Sequence, residues 1–498
     1  MPTSLFRRKA VEACQADADQ SEHRLKRSLG VLSLTALGIG AVIGAGIFSS
    51  PGTAAAGGGS HVAAGPALVL SYILVAGACG FAALCYAEMA SMVPVAGSAY
   101  TYAYVTLGEF LAWIIGWDLI LEYAVGNVAV AVSWADYLKT LLGGLGLHLP
   151  DWLSTTLDHA QQTPGLMESA PHLFGVPIVL NLPAGLIVAL LTVLLVLGIQ
   201  ESARVNTAMV LLKLVMVLGF IGVGVFYIRP EHWTPFAPNG IHGILSGASL
   251  IFFAYIGFDA VSTTAEEARN PQRDIPRAMI ATLGICTVLY ATVTLVLTGM
   301  VSWKELGVGD PLAKALQSAG LQALAGVLSF GAVVAMTAVL LVFQLGQPRI
   351  FMVMARDGLL PAWAAKVHPR FRTPYVTTIL TGVFVGIPAM FVDINEAIEF
   401  TNIGTLFAFV LVSVGVIVLR RTDPGRHRPF RCPGVPVLPL LSVISCGILM
   451  AYLPFITWMR FVIWQAVGIA LYFLYGRRHS RLGKSRAEEV TWTRTTSR

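Results

Sequence analysis

The sequence predicts an all-α integral membrane protein with twelve transmembrane helices. Of its 498 residues, 56% are hydrophobic and only 12% are charged, and the mean hydropathy is +0.72. Soluble domains carry roughly 25% charged residues, so most of this chain is expected to lie in lipid. Apolar stretches that suit the ~30 Å bilayer core recur at residues 30–53, 67–90, 109–135, 176–199, 205–228, 243–266, 278–302, 325–347, 375–392, 398–420, 436–457 and 461–476.

Glycine interrupts the first of these stretches. Gly40, Gly44 and Gly46 fall within seven residues. A helix from Leu29 to Ile43 would rise only ~22 Å, so the span has to continue past the last two glycines. Irregular backbone at that depth is tolerated where it is buried in protein or lines a cavity. A glycine-interrupted membrane helix is therefore the strongest indication of a transporter's binding site in this chain.

A second interruption lies about 210 residues further on, in the sixth span, where Gly257 and Asp259 sit in an apolar run. Interruptions in spans one and six predict two five-span units, and the odd number of spans in each unit gives them opposite orientations. The alternative is that these glycines only allow neighbouring helices to pack closely.

The distribution of charge predicts the orientation. Of the 33 Lys and Arg residues, 27 fall in segments that lie inside if the N-terminus is inside, and five fall in the outer segments. This bias places both termini in the cytoplasm of a multi-pass protein of the cell membrane. Residues 1–28 lack the apolar core of a signal peptide and form a cytoplasmic tail, as do residues 479–498. No basic face accompanies the net charge of +6, so nucleic acid is not an expected partner.

Several motifs resemble the amino acid–polyamine–organocation (APC) superfamily, and within it the short bacterial form of the cationic amino acid transporter (CAT) family. They are GIGAVIGAGIF, YAEMASMVPVAGSAYTYAY, GWDLILEYAVGN, FFAYIGFDAVSTTAEEARNPQRDIP, ARDGLLPAWAAKVHPRFRTP and TNIGTLFAFVLVSVGVIVLRR, in that order. The resemblance implies a LeuT-type 5+5 inverted repeat with discontinuous helices 1 and 6. The transporter domain would then cover 29–478, with repeat one at about 29–228, repeat two at about 243–420 and spans 11–12 at about 436–476.

The resemblance also implies where an amino acid would bind. A zwitterion needs partners for both of its charges in a dry site, and an interrupted helix exposes unpaired N–H and C=O groups. The expected carboxylate partners are the amides of Ile43, Gly44, Ala45 and Gly46, and the expected amine partners are the carbonyls of Phe253, Ala254 and Ile256. The side chain of Phe253 would also close over the substrate as a gate, and Phe343 would contact the substrate side chain.

Coupling to protons is assigned to ionisable groups within the spans. Lys213 lies ~12 Å from the inner end of the fifth span, where snorkelling to the interface is the alternative. In the resembling family a lysine at this position couples proton movement to transport. Glu122 and Asp259 are candidates to pair with Lys213, to relay a proton or to meet a cationic substrate, and Asp118 is an alternative to Glu122.

Motifs of enzymes and ATP-driven pumps are missing: the sequence has no HExxH, paired CxxC or P-loop pattern, so no cofactor or metal is expected. The resulting hypothesis is a secondary active amino acid permease, a proton-coupled symporter working by alternating access, with the amino acid, protons and the lipid bilayer as partners. The alternatives are an amino acid exchanger and a non-transporting amino acid sensor or receptor. The sequence leaves open whether the substrate is a small neutral amino acid, a cationic amino acid or a polyamine.

Overall fold

The protein is an all-α membrane protein. The computed structural model describes residues 5–12, 29–58, 61–93, 97–198, 203–265 and 267–483. Within these residues, eight helices are long and apolar enough to cross a membrane, or nine if one bent pair counts as a single span. Three further apolar helices are shorter, with 15, 17 and 15 residues. Twelve spans result if these three also cross, and that number remains a prediction.

The twelve apolar helices are numbered here in chain order. Their bounds are α1, in two halves, Val31–Val42 and Ala45–Ala56; α2, Gly65–Met92; α3, Glu109–Gly144; α4, Leu182–Val196; α5, Thr207–Tyr227; α6, Gly240–Ser262; α7, Pro271–Met300; α8, Gln322–Arg356; α9, Tyr375–Phe391; α10, Ile394–Thr422; α11, Val437–Ala451; and α12, Phe455–His479.

The order of helix lengths is similar in α1–α5 and in α6–α10. Each series begins with an interrupted helix, continues with two long helices of 28 and 36 residues or 30 and 35 residues, and then has a short one. Counterparts also touch: α1 packs on α6, α2 on α7, α3 on α8 and α4 on α9. The recurring lengths and these contacts are compatible with two related units, and the inverted repeat remains a prediction.

The fourth span, predicted at about 176–199, begins later than expected, and residue 199 lies outside the described residues. Residues 172–177 form a short hairpin instead, in which β1 (His172–Leu173) pairs antiparallel with β2 (Val176–Pro177). The helix begins at Leu182, where Pro183 suits the first turn, and it ends before Gly198, which has a φ of +75°. The last span, predicted as 461–476, is longer than expected and covers Phe455–His479.

Part of the predicted N-terminal tail is folded against the bundle. The carbonyls of Leu5 and Arg7 accept hydrogen bonds from the amides of Phe110 and Glu109 at 3.2 and 2.8 Å. These amides belong to the first turn of α3, which is preceded by Gly108 and has no side-chain cap. Arg7 also forms a buried ion pair with Glu109 at 3.1 Å. Residues 5–12 therefore cap α3, while 13–28 and 484–498 of the predicted tails lie outside the described residues.

Candidate functional site

The first helix breaks at the predicted glycines. Its inner half ends at Val42, Ile43 turns to an extended conformation (φ −76°, ψ 101°), and the outer half restarts at Ala45 with a bend of 56° between the two halves. A helix that restarts leaves its first amides without acceptors in a preceding turn. Within the described residues the N–H groups of Gly44, Ala45 and Gly46 have no hydrogen-bond acceptor.

Ile43 was expected to belong to this set, but its amide donates to the carbonyl of Ile39 at 2.9 Å and so closes the last turn of the inner half. This hydrogen bond leaves three consecutive N–H groups, those of Gly44, Ala45 and Gly46, as the candidate carboxylate partners. They start the outer half-helix, whose N-terminal end carries partial positive charge.

Side chains from two other helices cover the carbonyl end of the inner half. Lys213 of α5 is fully buried, and its Nζ donates to the carbonyl of Gly40 at 2.5 Å. Tyr290 of α7 donates to the carbonyl of Val42 at 3.0 Å. A helix C-terminus carries partial negative charge, which favours a cation such as a lysine ammonium. Lys213 therefore contacts the inner half of α1 within a few residues of the break, a contact that the sequence did not predict.

The sixth helix breaks in the complementary way. A 3₁₀ turn, Phe252–Tyr255, is followed by extended Ile256 and by Gly257, whose φ is +111°. The carbonyls of Ala254, Tyr255 and Ile256 accept no hydrogen bond from any described residue. The carbonyl of Phe253 accepts one from the Ile256 amide at 3.3 Å, which leaves it a second lone pair. Tyr255 thus adds an acceptor that the sequence analysis did not name.

The two breaks touch each other through glycine. A Cβ added to Gly46 would lie 2.2 Å from the Cα of Ala254, and one added to Gly257 would lie 3.1 Å from the carbonyl carbon of Ala41. Such distances leave no room for a side chain at Gly46, so only glycine allows the two backbones to approach this closely. The unpaired donors of α1 and the unpaired acceptors of α6 consequently lie on adjoining segments.

Aromatic rings lie beside the breaks. A Cβ added to Gly126 of α3 would contact Thr401, Phe343 and Phe253 at 3.3, 3.5 and 3.7 Å. The ring of Tyr123 packs edge-on against Phe343, with 5.6 Å between centroids. The structure therefore places Phe253 and Phe343 on the same side of Gly126, and their roles as gate and as contact for the substrate side chain remain predictions. Gly126, Tyr123 and Thr401 were missed, because nothing in the sequence distinguishes Gly126 among 49 glycines.

The predicted acids fall into two groups. Glu122 lies on a π-helical turn of α3, Leu121–Val125, and its carboxyl group neighbours that of Asp259. Both oxygens of Asp259 are buried without a hydrogen-bond partner among the described residues, so Asp259 is not bonded to Lys213 in this conformation. Asp118 instead accepts a hydrogen bond from Gln465 of α12. Glu122, rather than Asp118, therefore faces the interrupted helix.

No cluster of three or more His, Cys, Asp or Glu side chains that could hold a metal ion occurs in the described part of the chain. Among the described residues, the polar groups at the breaks include backbone amides, backbone carbonyls, Lys213, the Tyr290 hydroxyl and the carboxyl groups of Glu122 and Asp259. This arrangement can bind a small molecule that carries both charges, with apolar contacts for its remainder.

Comparisons with known proteins identify related transporters. The amino acid permease family matches residues 29–476. The branched-chain amino acid permease BcaP of Bacillus subtilis is 48% identical, over 97% of this chain and all of the relative. A methylthioribose transporter of the same organism is 46% identical over equal shares. A vacuolar cationic amino acid transporter 4 of Arabidopsis thaliana is 39% identical, over 84% of this chain and 68% of the relative.

Proposed function

The chain belongs to the amino acid permease family and is an amino acid transporter rather than an enzyme, and from this premise we propose that it is a secondary active carrier coupled to protons. It moves its substrate by alternating access, in which the site between the broken helices faces one side of the membrane at a time. The family match covers the region that contains both breaks, Lys213 and the aromatic cluster.

The observation that carries the proposal is the pairing of the two breaks. The three unpaired N–H groups at 44–46 can donate hydrogen bonds to a carboxylate. The unpaired carbonyls of Ala254, Tyr255 and Ile256 can accept hydrogen bonds from an ammonium group. Backbone groups left unpaired in a dry interior are costly, so a ligand that satisfies both sets is bound favourably. An α-amino acid carries those two charges on adjacent groups, whereas a thiosugar carries neither.

Proton coupling is assigned to Lys213. Its contact with the carbonyl of Gly40 holds the inner half of α1 in place through a buried charge. Loss of the proton would remove the charge that opposes the partial negative end of this half-helix. The inner half would then be freer to move, so binding and release of one proton would alternate with closing and opening of the inner face.

The topology is part of the same proposal. Twelve spans, with α1–α5 and α6–α10 as inverted units, would place both termini in the cytoplasm of a cell-membrane protein. The recurring order of helix lengths and the contacts between counterparts support this arrangement. The proposed transporter domain covers 29–478, with repeats at about 29–228 and 243–420 and cytoplasmic tails on either side.

Neutral, apolar amino acids are the proposed substrates. Phe253, Phe343 and Tyr123 crowd the space beside Gly126, which suits an aliphatic side chain better than a guanidinium. The name of the Bacillus relative, a branched-chain amino acid permease, points to the same class.

Shortening Phe343 is expected to admit cationic side chains. In Phe343→Ser the pocket lengthens towards Glu122, which could supply the counter-charge, so the ability of arginine to compete with labelled alanine should rise roughly tenfold, equivalent to ~1.4 kcal/mol. The matched control is Phe330→Ser, because Phe330 lies on the same helix and is 52% exposed. An unchanged arginine-to-alanine ratio in Phe343→Ser would place this ring outside the pocket.

Flux into proteoliposomes tests the function itself. Labelled leucine should accumulate in vesicles whose interior is made alkaline. In vesicles treated with a protonophore, the leucine concentration should only become equal on the two sides of the membrane. Exchange without accumulation would identify an exchanger, and ligand-induced thermal stabilisation without flux would identify a sensor. Uptake of methylthioribose in preference to leucine would contradict the assignment of the unpaired amides and carbonyls to a zwitterion.

A further inference from the structure

A buried histidine–carboxylate pair lies apart from the proposed binding site. His61 follows the outer half of α1, and its Nε2 lies 2.7 Å from Oε1 of Glu399 in α10. The side chains are only 3% and 5% exposed. Thr457 of α12 donates to the other oxygen of Glu399 at 2.5 Å. Nδ1 of His61 is buried and has no hydrogen-bond partner among the described residues.

The residues beside His61 are attached to both interrupted helices. The amide of Ala64 donates to the carbonyl of Ala54 in the outer half of α1 at 3.1 Å. The amide of Val62 donates to Ser246 of α6 at 3.0 Å. His61 therefore moves with the outer halves of α1 and α6, whereas Glu399 and Thr457 belong to α10 and α12.

We propose that His61 and Glu399 form a proton-binding clasp, here named the outer clasp, which holds the outer face of the carrier closed when His61 is protonated. The inference rests on the proposed carrier function, because opening of the outer face requires the outer halves of α1 and α6 to separate from their neighbours. Such a separation would either break the contact between His61 and Glu399 or require Glu399 to move together with His61. The outer clasp thus connects the acidity outside to the access of substrate.

The charges around the outer clasp determine the direction of the effect. Glu396 of α10 is already paired with Arg460 of α12 at 2.6 Å. On α6, His242 packs edge-on against the ring of Tyr452, 5.5 Å between centroids. Glu399 is therefore the acid in direct contact with His61. A buried carboxylate is costly unless it is paired, and an imidazolium supplies that pair.

Closure should strengthen as the outside becomes acidic. In the closed state the imidazolium has a carboxylate partner, whereas in the open state both groups are hydrated. Acidification, which charges the imidazole, is therefore expected to favour the closed state, in which the two side chains are in contact. Imidazole is the side chain whose charge ordinarily changes between about pH 5 and 8.

Leucine exchange in proteoliposomes tests the outer clasp. With the internal pH fixed by buffer, we expect wild-type exchange to slow about fivefold as the external pH falls through this range, a coupling of ordinary allosteric size. His61→Gln and Glu399→Gln should lose the dependence, and His61→Lys, charged throughout, should exchange slowly at every pH. The matched control, His242→Gln, should keep the wild-type profile.

A second measurement does not depend on transport. Hydrogen–deuterium exchange at residues 61–64 of the wild-type protein, corrected for intrinsic chemistry, should slow on acidification. Equal pH profiles in wild type and His61→Gln, or protection at 61–64 that ignores pH, would overturn the outer clasp while leaving a functioning carrier. A wild-type protein that exchanges no leucine would contradict the proposed carrier function. The deuterium exchange measurement would still show whether the outer clasp responds to pH.

Discussion

Replacing Lys213 by alanine is expected to abolish uptake driven by a pH gradient while amino acid binding remains measurable. The residue is fully buried and contacts the Gly40 carbonyl, two residues before the inner half of α1 ends. Alanine removes both the proton-carrying group and the cation at this helix end, an interaction of up to about 2 kcal/mol when partly buried. Accumulation of labelled leucine in proteoliposomes with an alkaline interior is the measurement.

Two further variants separate charge from hydrogen bonding. Lys213→Gln keeps an N–H donor and loses the charge, so it should behave like the alanine variant. Lys139→Ala is the matched lysine control, because Lys139 forms a solvent-exposed pair with Asp151 and should keep gradient-driven uptake. If Lys213→Ala still concentrates leucine in response to a proton gradient, coupling belongs to other groups, with Glu122 and Asp259 the first to examine.

Gly46→Val is expected to eliminate ligand binding, and Gly46→Ala to weaken it strongly. Even one methyl group at Gly46 meets the backbone of Ala254, at 2.2 Å from Cα and 2.8 Å from N. Backbone cannot rotate away as a side chain can, so α1 and α6 must separate and their unpaired groups lose their relative positions. Stabilisation of the purified protein by leucine in a thermal-shift assay gives the readout.

The neighbouring glycine provides a graded comparison. A Cβ on Gly44 meets only a methyl group of Val339, at 3.0 Å, so Gly44→Ala should weaken binding less than Gly46→Ala. Gly219→Val is the control for insertion and folding, because nothing lies within 4 Å of a Cβ at that position. Stabilisation like that of the wild type in both Gly44→Val and Gly46→Val would show that this segment does not bind the substrate.

The sequence predicted the membrane class and the positions of both breaks because hydropathy and glycine act locally. The unpaired amides of residues 44–46 lie where the glycine pattern predicted them. The prediction that the Ile43 amide is also unpaired was wrong, because this amide donates the last hydrogen bond of the inner half-helix, to the carbonyl of Ile39. The start of α4 was predicted too early because residues 172–177 form a hairpin before this helix. A hairpin of two-residue strands leaves almost no periodic signal.

Contacts between distant helices were beyond the sequence. The sequence left open the choice between Asp118 and Glu122, and only the structure shows that Glu122 neighbours Asp259 while Asp118 accepts a hydrogen bond from Gln465. The convergence of Phe253 and Phe343 on Gly126 joins three helices, and the pairing of His61 with Glu399 spans 338 positions. A single sequence carries no record of such distances.

The short helices α4 and α9 have a consequence for the surrounding lipid. They pack on each other, with Gly382 against Thr192 and Gly185 against Met390, so their deficits in length fall at one place on the perimeter. At 1.5 Å per residue the 15 residues of α4 and the 17 of α9 cover only ~22 and ~25 Å. If both helices cross the bilayer, as the twelve-span prediction requires, a hydrocarbon layer ~30 Å thick would have to thin beside them, at a cost of a fraction of a kcal/mol per Å of mismatch. Transport turnover in vesicles should therefore be faster in lipids with shorter acyl chains. The protein should also be enriched in thinner regions of a bilayer.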